Sequence, residues 1–111
     1  MSLLFSAPLT SNQNVDEYGE VLYFDVHEDI SSATTYQVTI KDPDGNETTK
    51  TATLEASDTA TDYGTFTGNQ HVSYTTVATD FDEEGRWKIR AKITFASRVA
   101  YTNWQLQDVK T

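Results

Sequence analysis

Cysteine is absent from this 111-residue chain, proline occurs twice and glycine five times. Without thiols there is no disulfide framework, no cysteine nucleophile and no cysteine-built zinc site. A single domain of this length buries a core large enough to do without such staples. Long apolar runs are missing as well. Nothing approaches the about 20 consecutive apolar residues of a membrane helix, and Leu3-Leu4-Phe5 is too short for a signal-peptide core and has no basic residue before it. The expectation is a protein made and kept in the cytoplasm, unless it leaves inside a larger particle.

Side chains that titrate near neutral pH are also scarce, with only His27 and His71. No Gly-x-Ser-x-Gly elbow, glycine-rich phosphate loop or HExxH pair occurs. Carboxylates are plentiful but fall in turns, not as a facing pair suited to hydrolysis. No catalytic residue, no metal ligand set and no cofactor are expected.

Positive charge is rare and unevenly placed. The net charge is −9, which argues against wrapping nucleic acid or lying on an anionic membrane. Before Arg86 two lysines face sixteen carboxylates, giving −14, whereas from Arg86 onward six basic residues face Asp108 alone, giving +5. A chain polarised in this way can pair with copies of itself, or its acidic and basic strands can neighbour each other within one sheet.

What is abundant is residue types that fit a pleated, half-buried surface: threonine, valine, isoleucine, tyrosine and phenylalanine. Leu22, Phe24 and Val26 alternate with Val21, Tyr23 and Asp25. Tyr36, Val38 and Ile40 alternate with Gln37, Thr39 and Lys41. Asp42-Pro43-Asp44-Gly45-Asn46 is a turn with a mechanism, since proline presets φ and glycine accepts positive φ. The return strand runs over Thr48–Leu54, and 55–69 reads as loop, with Tyr63 and Phe66 free to tuck into an edge. The strongest strand is Arg86–Phe95, where Trp87, Ile89, Ala91, Ile93 and Phe95 share one face. A last strand over 99–109 is expected to turn Trp104 and Leu106 inward. No window carries a sustained helical period. The reading is an all-β, immunoglobulin-like antiparallel sandwich of about seven strands over 20–111, preceded by an arm or edge strand over 1–19.

The order Asp29-Ile30-Ser31, Pro43-Asp44-Gly45, Gly64, Tyr74 and Gly85-Arg86-Trp87-Lys88-Ile89 resembles the small immunoglobulin-like domains of tailed-phage virion proteins. Among these are the amino-terminal domains of lactococcal-phage upper baseplate proteins. The resemblance covers about residues 20–109. It implies a structural subunit of a virion, at the tail, baseplate, head–tail junction or capsid surface, whose partners are other virion proteins and copies of itself. Larger members continue into further domains. With this chain ending at Thr111, a receptor-binding or fibre role within it is not expected.

Two surfaces stand out for binding. Leu3, Leu4 and Phe5, together with the ladder Arg86, Lys88, Arg90 and Lys92, form a candidate subunit interface. Successive ladder residues lie about 6.8 Å apart along the strand, a spacing that calls for anions opposite. The alternative is a soluble carbohydrate- or ligand-binding module, in which Tyr23, Tyr63, Tyr101 or Trp104 forms an exposed strip. Two further groups weigh less. Asp42–Glu47 lacks the glutamate at the twelfth position that an EF-hand needs. Asp25, His27 and Asp29 would share one face of a continuing strand but find no further ligand.

Overall fold

The computed structural model describes residues 10–14, 18–61 and 64–110. Among them are eleven strands and no helix: β1 (Thr10–Asn14), β2 (Val21–Asp25), β3 (Thr35–Lys41), β4 (Glu47–Thr51), β5 (Thr53–Glu55), β6 (Thr59–Thr61), β7 (Gly64–Phe66), β8 (His71–Thr75), β9 (Gly85–Thr94), β10 (Val99–Tyr101) and β11 (Gln105–Lys110). A six-stranded sheet runs β1-β11-β9-β3-β4, with β10 also beside β9. A three-stranded sheet runs β2-β8-β5, and β6 pairs with β7. Every pair is antiparallel except β1 with β11. The chain is all-β, as its alternating pattern predicts.

The two larger sheets bury one continuous core. From the six-stranded sheet come Val38 and Ile40 of β3 and Trp87, Ile89, Ala91 and Ile93 of β9. Leu22 and Phe24 of β2 and Val72 and Tyr74 of β8 meet them from the other sheet, with Ile30 and Phe81 filling in from the connections. The β3–β9 register sets Ile40 against Ile89 and Val38 against Ala91, so the inner rows of two strands coincide.

Three expectations need correction. On the last strand Gln105, Gln107 and Val109 are buried, while Leu106 is half-buried on the outer side. Pairing of Gln107 with Trp87 and Gln105 with Ile89 fixes this, because residues opposite each other point to the same face. The buried amides are tolerable because they are satisfied; Gln107 Nε2, for one, donates to Glu20 Oε1 at 3.4 Å. The single return strand predicted over Thr48–Leu54 is two, because the chain leaves the six-stranded sheet after β4 and enters the other as β5. Buried Ala52 lies at the crossing. Lastly, the expected loop over 55–69 holds the β6–β7 ribbon, whose Phe66 is buried. These breaks raise the strand count above seven. Of the two possibilities for the amino-terminal segment, the polar run Thr10–Asn14 is an edge strand, parallel to β11.

A polar brace ties the β8–β9 corner to both sheets. Asp80, 5 % exposed, accepts from the Tyr74 hydroxyl at 2.5 Å and the Val77 N–H at 2.8 Å, and Lys50 Nζ of β4 lies 3.6 Å from its other oxygen. Burial, then the hydrogen bond to Asp80 and its charge, push the Tyr74 phenol well above its ordinary range. At the next turn of the chain Trp87 Nε1 donates to Glu83 O at 3.0 Å. Gly85, with φ of 141°, lies so close to Pro43 that a Cβ would come within 2.6 Å of the proline ring. That contact packs the β3–β4 turn against the corner before β9.

Two stability measurements check this account. Trp87→Ala should cost about 3–5 kcal/mol in urea unfolding, and a midpoint near that of the wild type would place Trp87 outside the core. Tyr74→Phe should cost about 1–3 kcal/mol at neutral pH, by removing a donor from a buried carboxylate. Because the phenol's folded pKa is raised, its contribution is complete below about pH 10 and fades as the pH rises further. The gap between wild type and Tyr74→Phe should therefore narrow in alkali. A gap that is absent at pH 7, or constant up to about pH 11, contradicts the brace.

Candidate functional site

The outer face of the six-stranded sheet follows from the same register that builds the core. Opposite the ladder on β3 stand Lys41 (against Lys88), Thr39 (against Arg90) and Gln37 (against Lys92). On the other flank Asp108 faces Arg86, Leu106 faces Lys88, and Tyr101 faces Lys92. One carboxylate, Asp108, thus serves the whole ladder. It takes two hydrogen bonds from Arg86, from Nε to Oδ1 at 2.8 Å and from Nη2 to Oδ2 at 3.2 Å. These bonds hold the Asp108 carboxyl below its ordinary range and raise the guanidinium.

Elsewhere Lys50 pairs with Asp80, and Arg98 with Glu28. Among the described residues no carboxylate lies within ion-pair distance of Lys41, Lys88, Arg90 or Lys92. Lys41 and Lys88 even stand directly opposite each other, a repulsive arrangement. So neutralisation within the sheet, one of the two outcomes that the charge split allowed, is achieved at Arg86 and stops there. Four cations of an acidic protein are gathered on one face.

Arg90 is held in place by aromatic rings. Its Cζ lies 4.2 Å from the Tyr101 ring centroid and 4.3 Å from that of Trp104, and Lys41 Nζ lies 5.8 Å from the Trp104 ring. Thr102 delivers these rings. Its N–H donates to Ala91 O at 3.1 Å and its hydroxyl accepts from the Ala91 N–H at 2.9 Å, so the chain stays pinned to β9 between β10 and β11. Trp104, expected to turn inward on one strand over 99–109, lies instead between two strands and falls on the outer side, where the glutamine-inward register of β11 leaves room. Arg90 Nε is buried without a hydrogen-bond acceptor. Each ring contributes about 0.5–2 kcal/mol of cation–π attraction, which offsets the missing partner and holds the side chain in place.

The sequence-predicted residues are thus partly brought together. Arg86, Lys88, Arg90 and Lys92 share a face with Tyr101 and Trp104, which merges the interface candidate with half of the ligand-platform candidate. Tyr23 is on the other sheet and packs on Phe66 and His71, with centroids 6.3 and 6.2 Å away. An exposed strip joining Tyr23 to Tyr101 and Trp104 therefore does not form. Leu3, Leu4, Phe5 and Tyr63 lie outside the described residues. Lys41 and Thr39 complete the face; alternation put them on the polar side of β3, but only the strand register places them beside the ladder.

A second charged feature borders this face. In the β3–β4 turn Asp42 Oδ1 accepts from the Asp44 and Asn46 N–H groups at 3.0 and 2.8 Å, so the segment is the turn its composition predicts. Burial works to raise the Asp42 carboxyl, but these bonds, with those from the Asn46 side chain and the Gly45 N–H, leave it lowered. The contact of Gly85 with Pro43 brings Glu83 alongside, so that carboxylate oxygens of Asp42, Asp44 and Glu83 lie within 4.8 Å of one another. Among the described residues this is the one such group that could hold a metal ion. Desolvation, then the charges of Asp44, Asp42 and Asp82, raise the carboxyl of the exposed Glu83.

The remaining candidates are local structure. His27 has φ of 61°, which ends the extended run. It stays with Asp25, whose Oδ1 accepts the His27 N–H at 2.9 Å, while Asp29 bonds Ser31 instead, so the three do not share a face. His71 is fully buried, with Thr67 O 2.7 Å from Nδ1 and Thr59 Oγ1 2.8 Å from Nε2. Both ring nitrogens are engaged in holding the β6–β7 ribbon over β8.

The sequence matches no protein-family model and no curated protein.

The Arg86–Asp108 pair offers a direct check on the electrostatics of this face. Asp108, depressed in the folded state, contributes stability above the unfolded carboxyl value of about 3.9, and loses it as the pH falls through the lower folded value. In Arg86→Ala the Asp108 carboxyl, followed by NMR, should titrate in the ordinary range. An unchanged titration would mean that Arg86 does not govern it.

Proposed function

We propose that this protein is a non-catalytic structural subunit of a multi-protein assembly and that it docks through the outer face of its six-stranded sheet. One observation carries the reading: among the described residues Lys41, Lys88, Arg90 and Lys92 form no ion pair on one face of a strongly acidic protein, although Glu47 stands opposite Lys41, and Arg90 is braced by Tyr101 and Trp104. A rigid guanidinium flanked by lysines suits carboxylates of a partner protein, since planar bidentate pairing rewards a fixed fork. Arginine and aromatic residues are also the types that dominate the centres of protein interfaces.

The setting proposed is a tailed-phage virion. Its support is the resemblance of residues 20–109 to the immunoglobulin-like domains of virion proteins. The strand order adds support, because β11-β9-β3-β4 against β2-β8-β5 is an arrangement that immunoglobulin-like sandwiches use. The partners are then other virion proteins. A sugar-binding role draws on Tyr101 and Trp104, but rings already stacked on a guanidinium offer a sugar less free surface.

The test uses Lys88→Glu with Lys92→Glu. Both changes are on the outer face, so folding stability should stay within about 0.5 kcal/mol of the wild type. In the natural source, tagged variant chains should be depleted from the high-molecular-weight fraction that holds wild-type chains. Equal recovery of the two, or wild-type chains found only as monomer, would overturn the reading.

A further inference from the structure

We propose that the cationic face receives the acidic turn cluster of a second copy of this chain, so that copies join head to tail. The inference rests on the reading of that face as the docking surface and names its occupant.

Charge limits what can cover the face. Two copies cannot meet through the same face, because Lys41, Lys88, Arg90 and Lys92 of each would confront the same set on the other, and like charges in register are costly. The symmetric two-fold contact, which uses one patch twice, is thereby disfavoured. Nucleic acids and anionic membranes are repelled by the net charge of −9. The chain itself carries the complement. Asp42, Asp44 and Glu83 lie within 4.8 Å of one another, with Asp82 and Glu84 beside them in sequence. Among the described residues none of these five forms an ion pair with a basic side chain.

Placement fits as well. The cluster lies where β3 ends and β9 begins, at the tip of the sandwich, whereas the ladder runs along its flank. The packing of Gly85 on Pro43 holds the two turns together, so the carboxylates are presented as a unit. Tip against flank uses two different patches, and a heterologous contact of this kind repeats into a ring or an open filament. A subunit of a repeating particle needs such a contact.

A charge-swap experiment decides the matter. One variant reverses the face (Lys88→Glu with Lys92→Glu) and the other reverses the tip (Asp44→Lys with Glu83→Lys). Sedimentation velocity follows each alone and in equimolar mixture, at about 20 mM and about 500 mM salt, where screening differs strongly. Wild-type chains should associate at low salt and separate at high salt. Each variant alone should associate at least about tenfold more weakly, and the mixture should regain association, because the reversed tip then fits the reversed face. The mixture also guards against misfolding, since unfolded chains would not rescue each other. Wild-type chains that stay monomeric at low salt up to about 1 mM, or a mixture without rescue, overturn the proposal. If the face variant loses association while the tip variant keeps it, the head-to-tail contact fails and the docking face stands. If neither variant changes association, both fail.

Discussion

The two-residue period of a pleated strand commits every side chain of β9 to one of two environments, and most of this molecule depends on that division. Trp87, Ile89, Ala91 and Ile93 go into the core, so Arg86, Lys88, Arg90 and Lys92 must come out together on the opposite side. Slipping the strand by one residue would bury four cations and expose Trp87, Ile89 and Ile93 together with Ala91, so the register is specified by energies far above the differences that separate surface contacts. The backbone that carries the charged face is therefore fixed by the core behind it. β3 and β11 inherit their orientation from β9 through the ladders on either side.

The strong elements were legible in the sequence for this reason. Strict alternation in β2, β3 and β9 marked both the strands and the faces, and proline with glycine marked the β3–β4 turn. Legibility stopped where alternation and burial part company. β11 hides glutamines and leaves Leu106 on the outer side, because its register against β9 and its satisfied amides outweigh the preference of leucine for the interior. The crossing at Ala52 and the ribbon containing Phe66 leave no periodic trace, since strands of three residues are too short to show one. The candidate site was half visible. The ladder announced itself by charge, but its union with Tyr101, Trp104 and Lys41 depends on which strands adjoin, and that is a property of the sheet rather than of any segment.

Segregation of charge is the second organising feature. The acidic excess of the first 85 residues could have been spent on the basic strand, yet the strands beside β9 supply threonine, glutamine, lysine and aromatic rings, with Asp108 the one carboxylate opposite the ladder and Glu47 of β4 farther out, opposite Lys41. Such an arrangement lowers the stability of an isolated chain slightly, through like-charge neighbours such as Lys41 and Lys88. It also leaves that chain with a locally positive face on an otherwise acidic surface. The buried Nε of Arg90 fits this picture, because the rings that cover it hold the guanidinium in one orientation.

The central claim is that the outer face of the six-stranded sheet is the surface covered on assembly, and lysine reactivity reads it directly. Amine labelling followed by mass spectrometry should be carried out on the chain in its native assembly and again after dissociation at high salt. The account predicts that Lys41, Lys88 and Lys92 are shielded in the assembly and become reactive on dissociation, while Lys50 and Lys110 change little. Protection confined to Lys50 or Lys110, with the three face lysines equally reactive in both states, would contradict it.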